Sequence, residues 1–307
     1  MQYFQNLKEI KLEDCWLTIG SFDGVHLGHQ QIINPLVTGA HNLGLPAVVV
    51  TFHPHPLLVI KEEIRPFYLT LPEERAQILG GFGVDFVLTY PFSKTTSNIN
   101  ASDFIDDLFT HIQFTRLCIG HDFALGKDRE GDPSNLKELG EIYGYELHEV
   151  PPYVFNEEIV SSSLIRRKIR EGEIDGANQL LGRPFEIAGT VESGANRGKS
   201  LGFATSNLDV PEEVVDVKPG VYVCWAEVKG EIWQAVTNIG YRPTFSEGLT
   251  SPKIEAHLLD FSGDLYGEKM KLRFIERLRN EMKFEEISSL QAQINEDIAK
   301  TKAILKE

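Results

Sequence analysis

The chain has 307 residues, which sets a prior of two domains and excludes a single small module. With 42% hydrophobic and 24% charged residues it can bury a sizeable core, which excludes global disorder. Lys and Arg total 30 against 45 Asp and Glu, and the field of a net charge of −15 disfavours nonspecific nucleic-acid binding.

Any anionic ligand must therefore be held locally, by cations, backbone N–H groups or a divalent metal. The three cysteines, Cys15, Cys118 and Cys224, are far apart in sequence and form no CxxC pair, which points to a reducing compartment and no zinc site. The N-terminal run lacks an apolar stretch of signal-peptide length, and no segment approaches the ~20 apolar residues of a membrane span. The expectation is a cytoplasmic protein with no membrane, nucleic-acid or evident protein partner.

In chain order, residues 16–20, 47–52, 85–90, 117–120 and 146–150 have strand length and are mostly β-branched or aromatic. Between them residues 30–43, 72–81, 102–112 and 133–144 are long enough for helices, and two open with Pro at a plausible first helical position. That alternation predicts βαβ units and a mostly parallel sheet. After Val160 comes a basic amphipathic helix, then a shorter one ending at Gly182, and Pro184 marks a boundary. Beyond it, residues 186–192, 221–228, 232–239, 254–260 and 269–275 read as strands of a small antiparallel barrel, closed by an amphipathic helix over 284–305. The expected domains are residues 1–182 and 183–307.

The segment Gly20-Ser21-Phe22-Asp23-Gly24-Val25-His26-Leu27-Gly28-His29 follows the first predicted strand and opens the first helix. In a parallel sheet this is a place for a phosphate, since glycines admit backbone and the helix start offers free N–H groups. His26 and His29, three apart, can face one side of the turn and donate to phosphate oxygens. They also fit an i, i+3 metal pair or two surface histidines. Ser161, Ser162 and Ser163 begin the basic helix that carries Arg166; they read as helix-capping hydroxyls or as phosphate ligands.

Four segments in this order, GSFDGVHLGH, TFHPHP at 51–56, GHDFALGKDREGD at 120–132 and VSSSLIR at 160–166, resemble the bacterial bifunctional riboflavin kinase and FAD synthetase family. The resemblance implies an α/β nucleotidyltransferase domain, Rossmann-like and of the HxGH superfamily, that transfers an adenylyl group from ATP to FMN. It departs from the family where Ser163 stands for Thr, and where Leu164 and Ala124 each stand for Arg. Residues 193–207, SGANRGKSLGFATSN, tempt a P-loop assignment, but Ser193 stands where Gly is needed and no helical run follows.

The same stretch resembles the riboflavin kinase pattern GxxxGRxLGFPTAN, with Lys199, Ala204 and Ser206 as replacements. The resemblance implies that Gly198 and Lys199 hold nucleotide phosphate and that Thr205 and Asn207 hold Mg²⁺. Glu255 matches the family's catalytic Glu, a general base for the riboflavin 5′-hydroxyl; alternation along its strand otherwise makes it an ordinary outward-facing residue. Further matches run through Gly220–Tyr222, Thr237–Gly240, Arg242–Thr244 and 265–284. The implied enzyme takes riboflavin, FMN and ATP and makes FAD. The alternatives are a noncatalytic or single-activity flavin-binding homologue, or another HxGH adenylyltransferase.

Overall fold

The computed structural model describes residues 1–63, 65–192, 203–241 and 252–306. The chain divides into two compact units, Met1–Ile64 with Thr70–Ser162, and Arg65–Leu69 with Ser163–Glu307.

The first unit is built on β1 (Gln2–Phe4), β2 (Leu12–Ile19), α1 (Leu27–Asn42), β3 (Ala47–His53), α2 (Pro56–Lys61), α3 (Pro72–Gly81), β4 (Phe86–Pro91), α4 (Ala101–His111), β5 (Ile112–Gly120), α5 (Pro133–Tyr143) and β6 (Glu146–Val150), followed by the hairpin β7 (Val154–Phe155) and β8 (Glu158–Ile159). The six long-range strands pair in parallel in the order β1-β4-β3-β2-β5-β6. Six of the seven β3 residues are buried, as a strand covered on both faces requires. Alternation sorts them. Val48, Val50 and Phe52 join Leu17 and Ile19 under α4 and α5, whereas Ala47 and Val49 join Val87 under α1 and α3.

The chain leaves β2 through α1 toward β3 and leaves the adjacent β5 through α5 toward β6, so the connections diverge. The crevice at the C-terminal ends of β2 and β5 is the ligand position of an open α/β sheet. Strand β5 starts five residues before the apolar run that announced it, because Gln113 and Thr115 are exposed within it. The short β1 and α2 carried no periodicity long enough to read.

The second unit contains α6 (Ser162–Glu171), whose first residue belongs to the first unit, and α7 (Ile174–Leu181). They precede β9 (Phe185–Glu192), β10 (Ser206–Asp209), β11 (Gly220–Val228), β12 (Glu231–Tyr241), β13 (Pro252–Leu258), β14 (Lys269–Arg279) and α8 (Ile287–Ile304). The strands close an antiparallel barrel in the order β10-β13-β12-β11-β14-β9, the expected architecture with its closing helix. Inward positions Ile187, Tyr222, Cys224, Ala235, Ile254, Ala256, Leu272 and Phe274 fill it. The β11–β12 hairpin turns on Lys229 and Gly230, both at positive φ (53° and 78°), the geometry of a two-residue turn that matches strand twist.

The segment Arg65–Leu69 lies in the second unit as a strap. The Phe67 and Tyr68 amides donate to the Glu213 carbonyl at 2.8 Å each, and the Val215 amide donates to the Tyr68 carbonyl at 2.9 Å. No hydrophobic pattern predicts such a long-range pairing.

Candidate active sites

In the first unit the loop after β2 is held in an unusual backbone conformation. Phe22, Gly24 and Val25 all have positive φ (46°, 83° and 42°), and for a buried β-branched residue such as Val25 that is a strained position. A fully buried network imposes it. The Thr70 amide and hydroxyl donate to Asp23 Oδ1 at 3.0 and 3.3 Å, and the Gly24 amide donates to Thr70 Oγ1 at 3.0 Å. Arg75, wholly buried, stands 3.6 Å from Asp23 Oδ1 and donates to Thr51 Oγ1 at 3.0 Å and to the Thr70 carbonyl at 2.9 Å. Thr51 Oγ1 in turn donates to the Ser21 carbonyl at 2.9 Å. Asp23, expected among the phosphate ligands, thus turns its carboxylate into the fold.

His26 caps α1. Its Nδ1 accepts the His29 amide at 3.3 Å, which leaves Nε2 to carry the proton and act as a donor. The two imidazoles stack with centroids 3.6 Å apart, and Phe22 meets His29 edge-on at 5.1 Å. The first-turn amides of Leu27 and Gly28 have no acceptor within the helix. A Cβ on Gly28 would lie 3.1 Å from the His26 ring and 3.3 Å from the Val160 carbonyl, so glycine admits the serine segment to the helix start. Ser162 Oγ donates to the Asp23 carbonyl at 2.9 Å. Folding therefore gathers Gly20–Gly24, His26, Gly28, His29 and the Ser161–Ser162 segment around one helix N-terminus, with Ser162 and Asp23 139 residues apart in sequence.

Ser163 continues α6, and Arg166 one turn further on is buried in the second unit. Its guanidinium lies 3.7 Å over the Phe67 ring, and its Nε donates to the Phe67 carbonyl at 2.8 Å. A separate cavity of about 460 Å³ opens in the first unit, walled by Phe52, Ile60, Tyr90, Phe104 and Leu125 and bordered by Gly126–Arg129.

In the barrel, register places Asn207 of β10 and Asn238 of β12 directly opposite Glu255 of β13, one on each side. Directly opposed residues share a face, and Ile254 and Ala256 face the core, so this row lies on the outer surface. Lys253, two residues before Glu255, ion-pairs with its carboxylate. Asn207 Oδ1 is shielded from solvent and has no hydrogen-bond partner among the described residues. An unclaimed amide oxygen of this kind suits a hard cation. Thr205 immediately precedes β10, on a segment anchored by His257, whose Nδ1 donates to the Ala204 carbonyl at 2.7 Å. A cavity of about 980 Å³ lies beside it, lined by Thr205, His257, Phe261, Tyr266 and Leu265 among others. Gly198 and Lys199 lie outside the described residues, as do Arg242–Thr244.

Sequence reading missed Thr70 and Arg75, which hold the loop after β2, and His257, which anchors Thr205. Only the last carried a signal, since it shares the outward face of its strand with Glu255. Among the described residues no cluster of three His, Cys, Asp or Glu side chains could hold a metal ion, and no helix is long and apolar enough to cross a membrane.

Residues 8–164 match the family model described as FAD synthetase, and residues 181–305 match that described as riboflavin kinase. Proteins called bifunctional riboflavin kinase/FMN adenylyltransferase from Pseudomonas fluorescens and Escherichia coli (strain K12) are each 36% identical to this chain. The first covers 99% of it and 98% of its own length, the second 95% and 93%. The crystal structure of the macrolide-efflux protein from Streptococcus pneumoniae superposes with a TM-score of 0.89 at 28% identity, covering 98% of both chains. Another HxGH adenylyltransferase would leave the barrel and its matched model unaccounted for. With a parallel sheet that ends in a strained loop at a helix start, a barrel that presents a carboxylate between two asparagines, and near-complete coverage by its relatives, this chain belongs to the bifunctional riboflavin kinase/FMN adenylyltransferase family.

Proposed function

We propose that this family's two reactions, phosphorylation of riboflavin to FMN and adenylylation of FMN to FAD, run in this chain on two separate ATP sites with the residues described above. In the barrel, Glu255 takes the proton of the riboflavin 5′-hydroxyl as its oxygen attacks the γ-phosphorus of ATP, and ADP leaves. The nucleotide occupies the cavity beside Thr205, where Phe261 and Tyr266 offer an apolar wall to a base. Thr205 and Asn207 would hold a magnesium ion by oxygen, and such an ion neutralises developing phosphate charge. Gly198 and Lys199 complete the phosphate contacts in this reading.

In the first unit an FMN phosphate oxygen attacks the α-phosphorus of a second ATP, and pyrophosphate leaves. The Leu27 and Gly28 amides, His26 Nε2 and His29 stabilise the charge that develops on the phosphates. Gly20, Ser21, Phe22, Asp23 and Gly24 shape the loop, while Ser161 and Ser162 close the site around the leaving pyrophosphate. The aromatic cavity at Phe52, Tyr90 and Phe104 has the size and polarity for the flavin ring. The catalytic modules divide near Gly182, and three buried, unpaired thiols fit a cytoplasmic enzyme.

The observation that carries the kinase assignment is the row Asn207–Glu255–Asn238, a base beside an oxygen ligand with no other partner among the described residues. Purified protein incubated with riboflavin, ATP and Mg²⁺ should form FMN first and FAD after it, resolved by chromatography over time. Bound flavin with neither product would establish a noncatalytic homologue, and FMN without FAD a single-activity one.

A further inference from the structure

The run through Glu281 holds no role in the reaction as derived so far, and the fold brings it to Thr237–Gly240, the segment that carries Asn238. Asn238 Nδ2 donates to Glu281 Oε1 at 3.4 Å. A Cβ on Gly240 would lie 2.4 Å from the same oxygen, so any larger residue at 240 would push this carboxylate out of its place. Register puts Asn238 opposite Glu255 and Gly240 opposite Lys253. Glu281 therefore reaches the outer row that carries the candidate base.

Glu281 sits on an exposed irregular segment after β14, and an unanchored segment would not hold a carboxylate in one place. The anchor is Arg279. Its Nε donates to Asp297 Oδ1 and Oδ2 at 3.0 and 3.1 Å, its Nη2 to Oδ2 at 2.7 Å, and its Nη1 to the Asn280 carbonyl at 3.0 Å. Asp297 comes from α8, is 1% exposed, and also accepts from Gln293 Nε2 at 3.2 Å. Asn280 Oδ1 accepts from Arg277 Nη2 at 2.6 Å, so the backbone leading into Glu281 is tied at two successive residues. A two-oxygen Arg–carboxylate fork is directional as well as strong, which is what a positioning device needs.

We propose that the Asp297–Arg279 clamp delivers Glu281 to Asn238 and Gly240, making Glu281 a positioning residue for phosphoryl transfer to riboflavin. The inference rests on the kinase reading. Its physical content is the Asn238 amide, whose two ends differ. While Glu281 accepts one N–H of Nδ2, the amide is held with its nitrogen turned toward Glu281 and away from Glu255. Without Glu281 the amide is free to turn Nδ2 onto the Glu255 carboxylate opposite, where it competes with the incoming hydroxyl. An acceptor at position 281 is what this requires, so Gln serves and Ala does not.

The test uses the full chain, with steady-state FMN formation from riboflavin and ATP, and FAD formation from supplied FMN as a control on the other unit. Glu281→Ala should lower kcat for FMN about 10-fold or more, with KM for ATP within about twofold. Glu281→Gln should stay within about threefold of the parental kcat, rescue by the conservative variant. Asp297→Asn should match the Glu281→Ala loss, and the double variant should fall no more than about twofold below Glu281→Ala alone, because the two act as one unit. Arg279→Lys keeps the charge but loses the fork, and supplies the same reading if Asp297→Asn fails to fold. FAD formation should be unchanged throughout. Parental kcat in Glu281→Ala, equal loss in Glu281→Gln, or losses that multiply in the double variant would each overturn the proposal. A parental chain that makes no FMN overturns the kinase reading itself, and is seen before any variant is compared.

Discussion

His26 Nδ1 accepts the backbone amide of His29 at 3.3 Å while the two rings stack 3.6 Å apart, so one side chain both caps the helix and presents its other nitrogen as a donor. The two duties separate by substitution. His26→Asn keeps a good capping residue and removes the imidazole, so stability should change by less than ~1 kcal/mol while FAD formation falls ~10²-fold or more. His29→Ala, which keeps the His26 cap, should show the same loss, with FMN formation nearly intact in both. Equal loss of both activities would indicate misfolding, and is checked by assaying the two products in the same preparation.

The Asp23–Arg75 pair is wholly buried, so its charges are balanced by protein groups and not by water. Asp23→Asn should destabilise the first unit by about 3 kcal/mol or more, because it removes one partner of a buried charge pair. Calorimetry of the full chain should show a lowered transition with FAD formation lost. FMN formation, which belongs to the barrel, should persist below that transition.

Glu255→Gln keeps size and hydrogen bonding but cannot accept a proton. Kinase turnover should drop ~10²- to 10⁴-fold. Unfolding free energy should move within ~0.5 kcal/mol, since the residue faces outward on its strand. FAD synthesis from supplied FMN should continue. A folded variant that phosphorylates riboflavin at the parental rate would take Glu255 out of the mechanism.

A fragment from Arg183 to Glu307 carries every kinase motif and should make FMN and never FAD. It lacks α6 and α7, whose Ile165, Ile169, Ala177 and Leu180 are buried in the second unit, and it loses Asn178, which accepts the Phe185 amide at 2.7 Å. The fragment starting at Ser163 should therefore melt at a higher temperature than the one starting at Arg183. Comparison of the two melting curves, with FMN formation assayed on each, checks both statements. A folded Ser163 fragment without kinase activity would defeat the assignment of an independent barrel kinase.

Burial pushes the three thiols far up, Cys15 and Cys224 to about 12 and Cys118 to about 11. A raised value keeps each thiol protonated until the pH climbs well past neutrality, so almost no thiolate is present at pH 8. Iodoacetamide at that pH should leave the folded chain unlabelled and modify all three residues once it is unfolded, as read by mass spectrometry. Rapid labelling of the native protein would contradict the burial.

Local pattern by itself determined the two architectures and the segments proposed to carry chemistry. Runs such as Ala47–Phe52 exceed any other use of β-branched residues at that length, and the Gly-rich turn between a strand and a helix is placed by backbone geometry that only a few residue types tolerate. Outward alternation at Glu255 and His257 likewise follows from the period of two. Tertiary structure alone decided which distant residues serve those sites. Thr70 and Arg75 hold Asp23 across some fifty residues, Arg65–Leu69 joins the barrel unit, and Asn207, Glu255 and Asn238 line up only because three strands share a register. Such contacts leave no periodic trace, because a single buried hydrogen bond or ion pair constrains two positions and nothing between them. The same holds for Asp297, an acidic residue on an amphipathic helix that the fold buries against Arg279.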